Sequence, residues 1–550
     1  MGSHRYAPRL MRFYLLTLAA AAFAQHGELA PGRLTPREWP GYGELRFEVS
    51  SQNPEAKKWA NQGLRLIYAF NHPEAAASFR KATELDPECA MCWWGLSLAL
   101  GNNINAPLMP ENAKPAYDAS QQALALAAKA SPRESAYIAA IAQRYAKENP
   151  ADRSALDKAY AQAMRSVAKS FPDDLDAQTL AADALMNLTP WKLWTKDGKP
   201  NAYTLEIEDL LETVMHRDPQ HLGANHIYIH AVEASRNPER ALPSAALLGK
   251  LAPASGHLVH MPAHIYMRTG NYEESAALNR KAAALDKLYF ETVGAPTYYM
   301  PYWVHNLQFL CAAESMMGNY TAARDSIGFA AKQLEPLARM NPAFEAALAM
   351  PLMLEVRFQQ WDKILAMEPP ASFSLSVNNI YLFARGMAQA AKSDPDEATN
   401  SLARFRNAVD ALAEDRGFGL NREKAVMAIA AIILEAKIAF ARKDHATAIA
   451  ALERAVAAED LLDYDEPADW YYPPSREALG AVLLSAGKAA AAEQVFRQEL
   501  RNNRQSGRAL FGLREALKAQ GKHEAAAMVS PLYELAWKRS DRPLTPAQLF

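Results

Sequence analysis

Cysteine is nearly absent. Three in 550 residues are too few for a disulfide framework or a four-cysteine zinc fold. Basic charge is not in surplus either. Lys and Arg number 59 against 61 Asp and Glu, a formal net charge of −2, without the basic excess or stripe of a nucleic-acid binder. Glycine (24) and proline (34) are too sparse for a collagen-like or low-complexity chain. No P-loop, G-x-G-x-x-G, G-x-S-x-G or H-E-x-x-H occurs. Beyond the N-terminus, no uncharged apolar run reaches the about 18 residues of a membrane span. What is present is a chain 50% hydrophobic and 22% charged, long enough for several domains or one continuous repeat array.

The N-terminus reads as an export signal. Arg5, Arg9 and Arg12 precede a short apolar run at 13–22, and Ala22-Phe23-Ala24 has the A-x-A form of a cleavage site, with Met11 an alternative start. The expected location is periplasmic or secreted, with no membrane attachment after cleavage.

Periodicity then sets the architecture. With Trp59 at position 4 of a unit, Gly63, Ala75, Phe79, Ala82 and Pro87 fall at 8, 20, 24, 27 and 32. Gly270, Tyr272 and Ala282 repeat the frame in 256–289. Gly318, Tyr320, Ala323 and Ala330 do so in 304–337, and Gly480, Gly487, Ala492 and Phe496 near the C-terminus. This pattern resembles the tetratricopeptide repeat (TPR), a helix-turn-helix unit of 34 residues. Small residues at 8 and 20 let helices approach, an aromatic at 24 fills the space between units, and Pro at 32 ends the second helix. The expected fold is an all-α, right-handed solenoid of helical hairpins, about ten units with weaker copies at 133–221 and 338–462. Insertions are expected at 101–112, 188–203, 290–303 and 462–474. The organisation becomes a signal peptide (1–24), an extension (25–55), N-terminal repeats (56–221), His-rich repeats (222–337), C-terminal repeats (338–540) and a tail (541–550).

Eight of the 13 histidines lie in the 90 residues from 216 to 305, where an even scatter would place about two. Their spacing carries more. His226 and His230 are four apart, as are His260 and His264, and each pair is offset from the other by 34 residues. Both therefore occupy positions 5 and 9 of a first helix. His257 and His305 each take position 2, and Glu233 takes position 12. Positions 2, 5, 9 and 12 form one helical stripe, which the TPR resemblance places on the concave groove. Imidazoles projecting from adjacent helices can meet at one ion. Pro262, at position 7, is expected to kink its helix and re-aim His257 and His260.

All-nitrogen ligation suits copper, zinc, iron or nickel. Three arrangements are open: two copper ions on three histidines each, one ion with an outer layer of histidines, or a His226–His230–Glu233 set for zinc or iron. Nearby aromatics (Tyr228, Tyr298, Tyr299, Tyr302, Trp303) offer core packing, substrate stacking or a redox-active phenol. Tyr298, Tyr299 and Glu233, as ligand or general base, are the catalytic candidates. His226, His230, His257, His260, His264 and His305 are the metal candidates. Cys89 and Cys92 form C-x-x-C, without the following His of a haem attachment site, and can close a disulfide. Cys311, in a small-residue slot, reads as a core thiol.

The chain also resembles a group of exported bacterial TPR proteins with paired HxxxH motifs. The resemblance rests on 226–235, on 256–266 and on Trp470-Tyr471-Tyr472-Pro473, and it carries no activity. The favoured expectation is a copper-dependent oxidoreductase acting on a small molecule or peptide in the groove. A zinc hydrolase and a protein- or peptide-binding scaffold stand beside it.

Overall fold

The computed structural model describes residues 34–294, 297–370, 373–470 and 472–550. The expected export signal at 1–24 lies outside them. Among the described residues twelve helical hairpins follow one another, from Pro54–Tyr68 with His72–Leu85 to Gly507–Ala519 with His523–Ala536. The only sheet among them is a two-stranded hairpin, Gly417–Phe418 against Asn421–Arg422.

Each feature read from the repeat has its physical counterpart. The first helix starts on Asn53, whose side chain accepts from the Glu55 and Ala56 amides, with Pro54 in the first turn. The second ends at Leu85, two residues before Pro87. The Phe79 ring lies between Gly63 and Gly95. A Cβ would stand 2.4 Å from it at the first glycine and 2.0 Å at the second. Phe496 repeats this between Gly480 and Gly512, at 2.5 and 2.3 Å. The turn between the arms needs a left-handed residue. Gly270, Gly318, Gly487 and Gly521 supply it, with φ between 72° and 83°. Phe70 takes the same slot in the first unit at φ 57°, a conformation that costs a side-chain-bearing residue roughly 1–2 kcal/mol. The hairpin Glu345–Arg357 with Trp361–Leu365 has a truncated second arm.

The solenoid winds tightly enough for distant units to touch. The helix Leu222–Val232 packs on the first helix, with Gly223 against the Tyr68 ring. Residues of the extension lie along the first hairpins, burying Tyr42, Phe47 and Val49. The last units meet the middle ones, where the Tyr272 hydroxyl donates to the Arg504 carbonyl at 2.7 Å and Asp541 accepts from the Tyr320 and Thr321 amides. Five of the six candidate histidines are buried and His305 is half-buried. No helix among the described residues is long and apolar enough to cross a membrane.

Candidate metal centre

The helix Leu222–Val232 carries His226 and His230 and is buried on every face. The next first helix is interrupted, as anticipated. It runs as Gly256–His260 and then Pro262–Thr269, because Pro262 has no amide to donate to the turn before it. His257 and His260 sit before the break and His264 after it. His305 lies on Met300–Met316.

These six imidazoles form two adjacent groups of three, His226–His230–His257 and His260–His264–His305. In each group the candidate ligand atoms lie within 4.8 Å of one another. The grouping follows the repeat: positions 5 and 9 of one unit combine with position 2 of the next, twice over. Ring centroids of His230 and His264, and of His257 and His260, stand 6.2 Å apart across the two groups. One phenylalanine packs against each group. Phe70 lies 4.5–5.8 Å from the first three rings, and Phe309 lies 4.6–5.0 Å from the second three.

Hydrogen bonding fixes which nitrogen faces inward. The Tyr68 carbonyl can only accept, so His226 donates to it through Nδ1, at 2.6 Å. His260 Nδ1 donates to Asn279 Oδ1 at 2.6 Å. That amide is oriented by its own Nδ2, which donates to the Ser275 carbonyl. Glu233 spans the two groups, with Oε1 3.0 Å from His230 Nδ1 and Oε2 2.6 Å from His264 Nδ1. His226, His260 and His230 hold the proton on Nδ1, as their partners dictate, and keep an Nε2 lone pair. His264 Nδ1 lies at ion-pair distance from Glu233 without hydrogen-bond geometry. The inner nitrogens converge. His260 Nε2 is 2.9 Å from His264 Nε2, and His226 Nε2 is 3.1 Å from His257 Nε2. His230 Nε2 is buried with no hydrogen-bond partner among the described residues.

The electrostatics agree. Burial, with the neighbouring imidazoles, holds His226, His257 and His260 well below the usual histidine range. Burial lowers His230 as well, and pushes His305 down to about 3. For Glu233 burial acts upward, but His264 and His230 override it and hold the carboxyl below its ordinary range. Burial thus disfavours the charged form of five of the rings, beside the buried Glu233 carboxylate.

Glu233, considered above as a ligand or a general base, stands behind the rings and orients them from Nδ1. Tyr464 donates to it at 3.0 Å. Tyr298 and Tyr299 lie further out than expected. Both Tyr298 and Tyr289 donate to Glu74, while Tyr299 packs on Tyr302 at 5.3 Å. It is Tyr302 that meets the histidines, 5.1 Å from His257. Tyr228 donates to Glu212. All four insertions converge here: Trp191 on His230, Tyr302 on His257, Asn105 at the Tyr302 hydroxyl, and Tyr464 on Glu233. The small strand hairpin anchors the last of these, Asn421 donating to the Asp463 carbonyl and to Asp469.

Sequence reasoning does not reach Phe70, Asn279, Phe309 or Tyr464. Asn279 had a signal: it occupies position 24, where Phe79 and Phe496 stand in other units. Cys89 and Cys92 are joined by a disulfide (S–S 2.09 Å), and Cys311 is buried.

No family model and no curated protein matches the chain. Among solved structures it is similar to a human IFIT1 dimer with PPP-AAAA, at 12% identity over 90% of this chain and 96% of that one, with a TM-score of 0.33. It is similar to yeast Tom70, at 11% identity over 90% and 93%, TM-score 0.29. The P58(IPK) TPR domain aligns at 11% identity over 85% and 98%, TM-score 0.21. The fold is that of a TPR solenoid. It rests on the 34-residue register and on the phenylalanine held between two glycines in both halves of the chain.

Proposed function

We propose that this chain is an exported TPR metalloprotein that holds two neighbouring transition-metal ions, each on three imidazoles, and acts as an oxidoreductase. The observation that carries the reading is the His260–His264 contact. The two Nε2 atoms face each other at 2.9 Å, with the His260 Nδ1–H held by Asn279 and Glu233 beside His264 Nδ1. Such a contact needs either one shared proton or a cation between the nitrogens. Two nitrogens bound to one ion at about 2.0–2.1 Å stand roughly 2.9–3.4 Å apart, and both close Nε2 pairs fall in that range. The backing of the rings by Tyr68, Asn279 and Glu233 is the outer layer that metal-bound histidines commonly have.

Copper is the favoured metal. The six inner donors are imidazoles with no carboxylate or thiolate among them, and copper binds such sets more tightly than the other divalent first-row ions. Two adjacent three-histidine sets favour one-electron or oxygen chemistry, which the ions would supply. The protein fixes the rings, excludes water and presents the aromatic wall formed by Trp191 and Tyr302. With Glu233 turned to the back of the rings, the hydrolytic reading lacks its base.

The test is metal content by plasma mass spectrometry on protein purified without a His tag, beside His226→Ala combined with His260→Ala. Two copper ions per chain in the wild type, lost in the double variant with the helical spectrum intact, are expected. Metal-free wild type that stays metal-free after reconstitution would sink the reading and favour a protein-binding scaffold.

A further inference from the structure

A line of aromatic rings leads from the histidines to the surface. Tyr302 meets His257 at 5.1 Å. Tyr299 follows at 5.3 Å and Tyr289 at 4.6 Å. Trp39 then stands 5.6 Å from Tyr289. Every step is a ring-to-ring contact. The three tyrosines come from the insertion at 290–303 and the helix before it, whereas Trp39 comes from the N-terminal extension. Trp39 is half-buried, and Arg37, Glu38, Pro40 and Gly41 around it are exposed.

The two inner-line tyrosines away from the histidines each have a buried carboxylate on the hydroxyl. Tyr289 donates to Glu74, which Tyr298 also engages, and the Tyr289 and Tyr298 oxygens are 2.5 Å apart. The Tyr299 hydroxyl lies beside the Asp286 carboxylate, which accepts from the Asn306 amide at 2.6 Å through one oxygen and keeps the other without a hydrogen-bond partner among the described residues. Burial is the main cause that pushes Glu74 and Asp286 up to about 7. Each then accepts and returns a proton at little cost near neutral pH. A phenol gives up an electron readily only if its proton has somewhere to go. Ordinary core packing does not require a carboxylate on successive tyrosines of one stack, and burying those carboxylates is costly.

We propose that Trp39, Tyr289 and Tyr299 form an electron relay, with the Tyr302 ring the unoxidised contact between Tyr299 and His257, that carries reducing equivalents one at a time from a donor at the Trp39 surface to the oxidised metal centre.

The inference rests on the redox reading above. The external donor, a one-electron reductant, is oxidised by one electron, and the centre is reduced by one. When Tyr299 or Tyr289 passes its electron inward, its phenolic proton moves to Asp286 or Glu74. Both return when the next electron arrives from outside, so the relay ends unchanged and takes up no net proton.

The test has a metal-free arm and a loaded arm. In the first, a ruthenium photo-oxidant is tethered beside Trp39 through Glu38→Cys in the full-length protein, and a flash injects the oxidising equivalent. A neutral tyrosyl radical, read by electron paramagnetic resonance, is expected. Its yield falls several-fold when Tyr289→Phe is added, with the helical spectrum unchanged. An equivalent that stays on Trp39, or a tyrosyl yield indifferent to Tyr289→Phe, would overturn the relay. In the second, copper-loaded protein receives peroxide without reductant. Peptide mass spectrometry is expected to find oxidised Trp39 in the wild type and several-fold less in Tyr299→Phe. Equal oxidation in both would count against the relay. Should the protein take up no metal, the first arm still reads the relay, so the two failures are distinguishable.

Discussion

At the scale of single residues, the site is set by which nitrogen each imidazole spends on the protein. A neutral ring has one donor and one acceptor, and partners that only accept pin the proton on Nδ1. Glu233 does this for His230, lies at ion-pair distance from His264 Nδ1 and is 1% exposed, so its charge has no solvent to lean on. Glu233→Gln keeps the shape but removes the anion and one acceptor. We expect metal affinity to drop about 10–100-fold with the fold retained, as measured by competition with a chelator of known affinity. An unchanged affinity would place the carboxylate outside the metal's support. The clustering of the six candidate histidines was readable at this scale because their spacing repeats. Glu233 was readable as a neighbour on the stripe but not in its role, since sequence gives the stripe and not which side of a ring a carboxylate meets. Tyr298 and Tyr299 lie near the histidines in sequence. The helix beginning at Met300 turns them outward and leaves Tyr302 against His257.

At the scale of elements, the repeat does two jobs. It packs the hairpins, and it duplicates the three-histidine triangle by translation. Gly95→Ala tests the first. A methyl 2.0 Å from the Phe79 ring must displace it, and overpacking of this kind costs about 1–3 kcal/mol; a lowered midpoint of thermal unfolding is expected. Asn279 tests the second, because it departs from the repeat at the position that elsewhere holds phenylalanine. Asn279→Leu leaves the His260 Nδ1–H without an acceptor in the core, at about 1–3 kcal/mol, and frees the ring to turn. Loss of one ion of two is the expected outcome, read by metal content, while the other group stays loaded. The hairpins were legible from sequence because Gly, aromatic and Pro recur at fixed offsets. The pairing of positions 5 and 9 with position 2 of the following unit was not, since it depends on how successive units are rotated.

At the scale of the whole molecule, the winding of the solenoid brings Tyr68 and Phe70 of the first unit onto the central histidines and Tyr464 of a late one onto Glu233. Nothing local in the sequence announces contacts between residues 158 and 231 positions apart. This closure comes from contacts between distant units and from the insertions. Closure also sets a pH dependence for the metal-free protein. In the unfolded chain an imidazole takes up its proton near 6.5, whereas burial lowers this for His226, His230, His257, His260 and His305, the last to about 3. Acid thus favours the unfolded chain. The stability present above about pH 6.5 is lost as the pH falls, by up to about 1.4 kcal/mol per pH unit for each such ring. Denaturant titrations of metal-free protein at pH 7.5 and 5.5 (about one unit either side of the free imidazole value) should show the drop. A flat profile would mean that the rings are not held neutral.

The central claim is that the chain carries two separate three-histidine sites. Counting bound copper per chain by native mass spectrometry tests it most directly, in the wild type, His257→Ala, His305→Ala and the two combined. Two ions in the wild type, one in each single variant and none in the double are predicted. Equal loss of all metal in either single variant, or no loss in one of them, would contradict the assignment of one triangle to each ion.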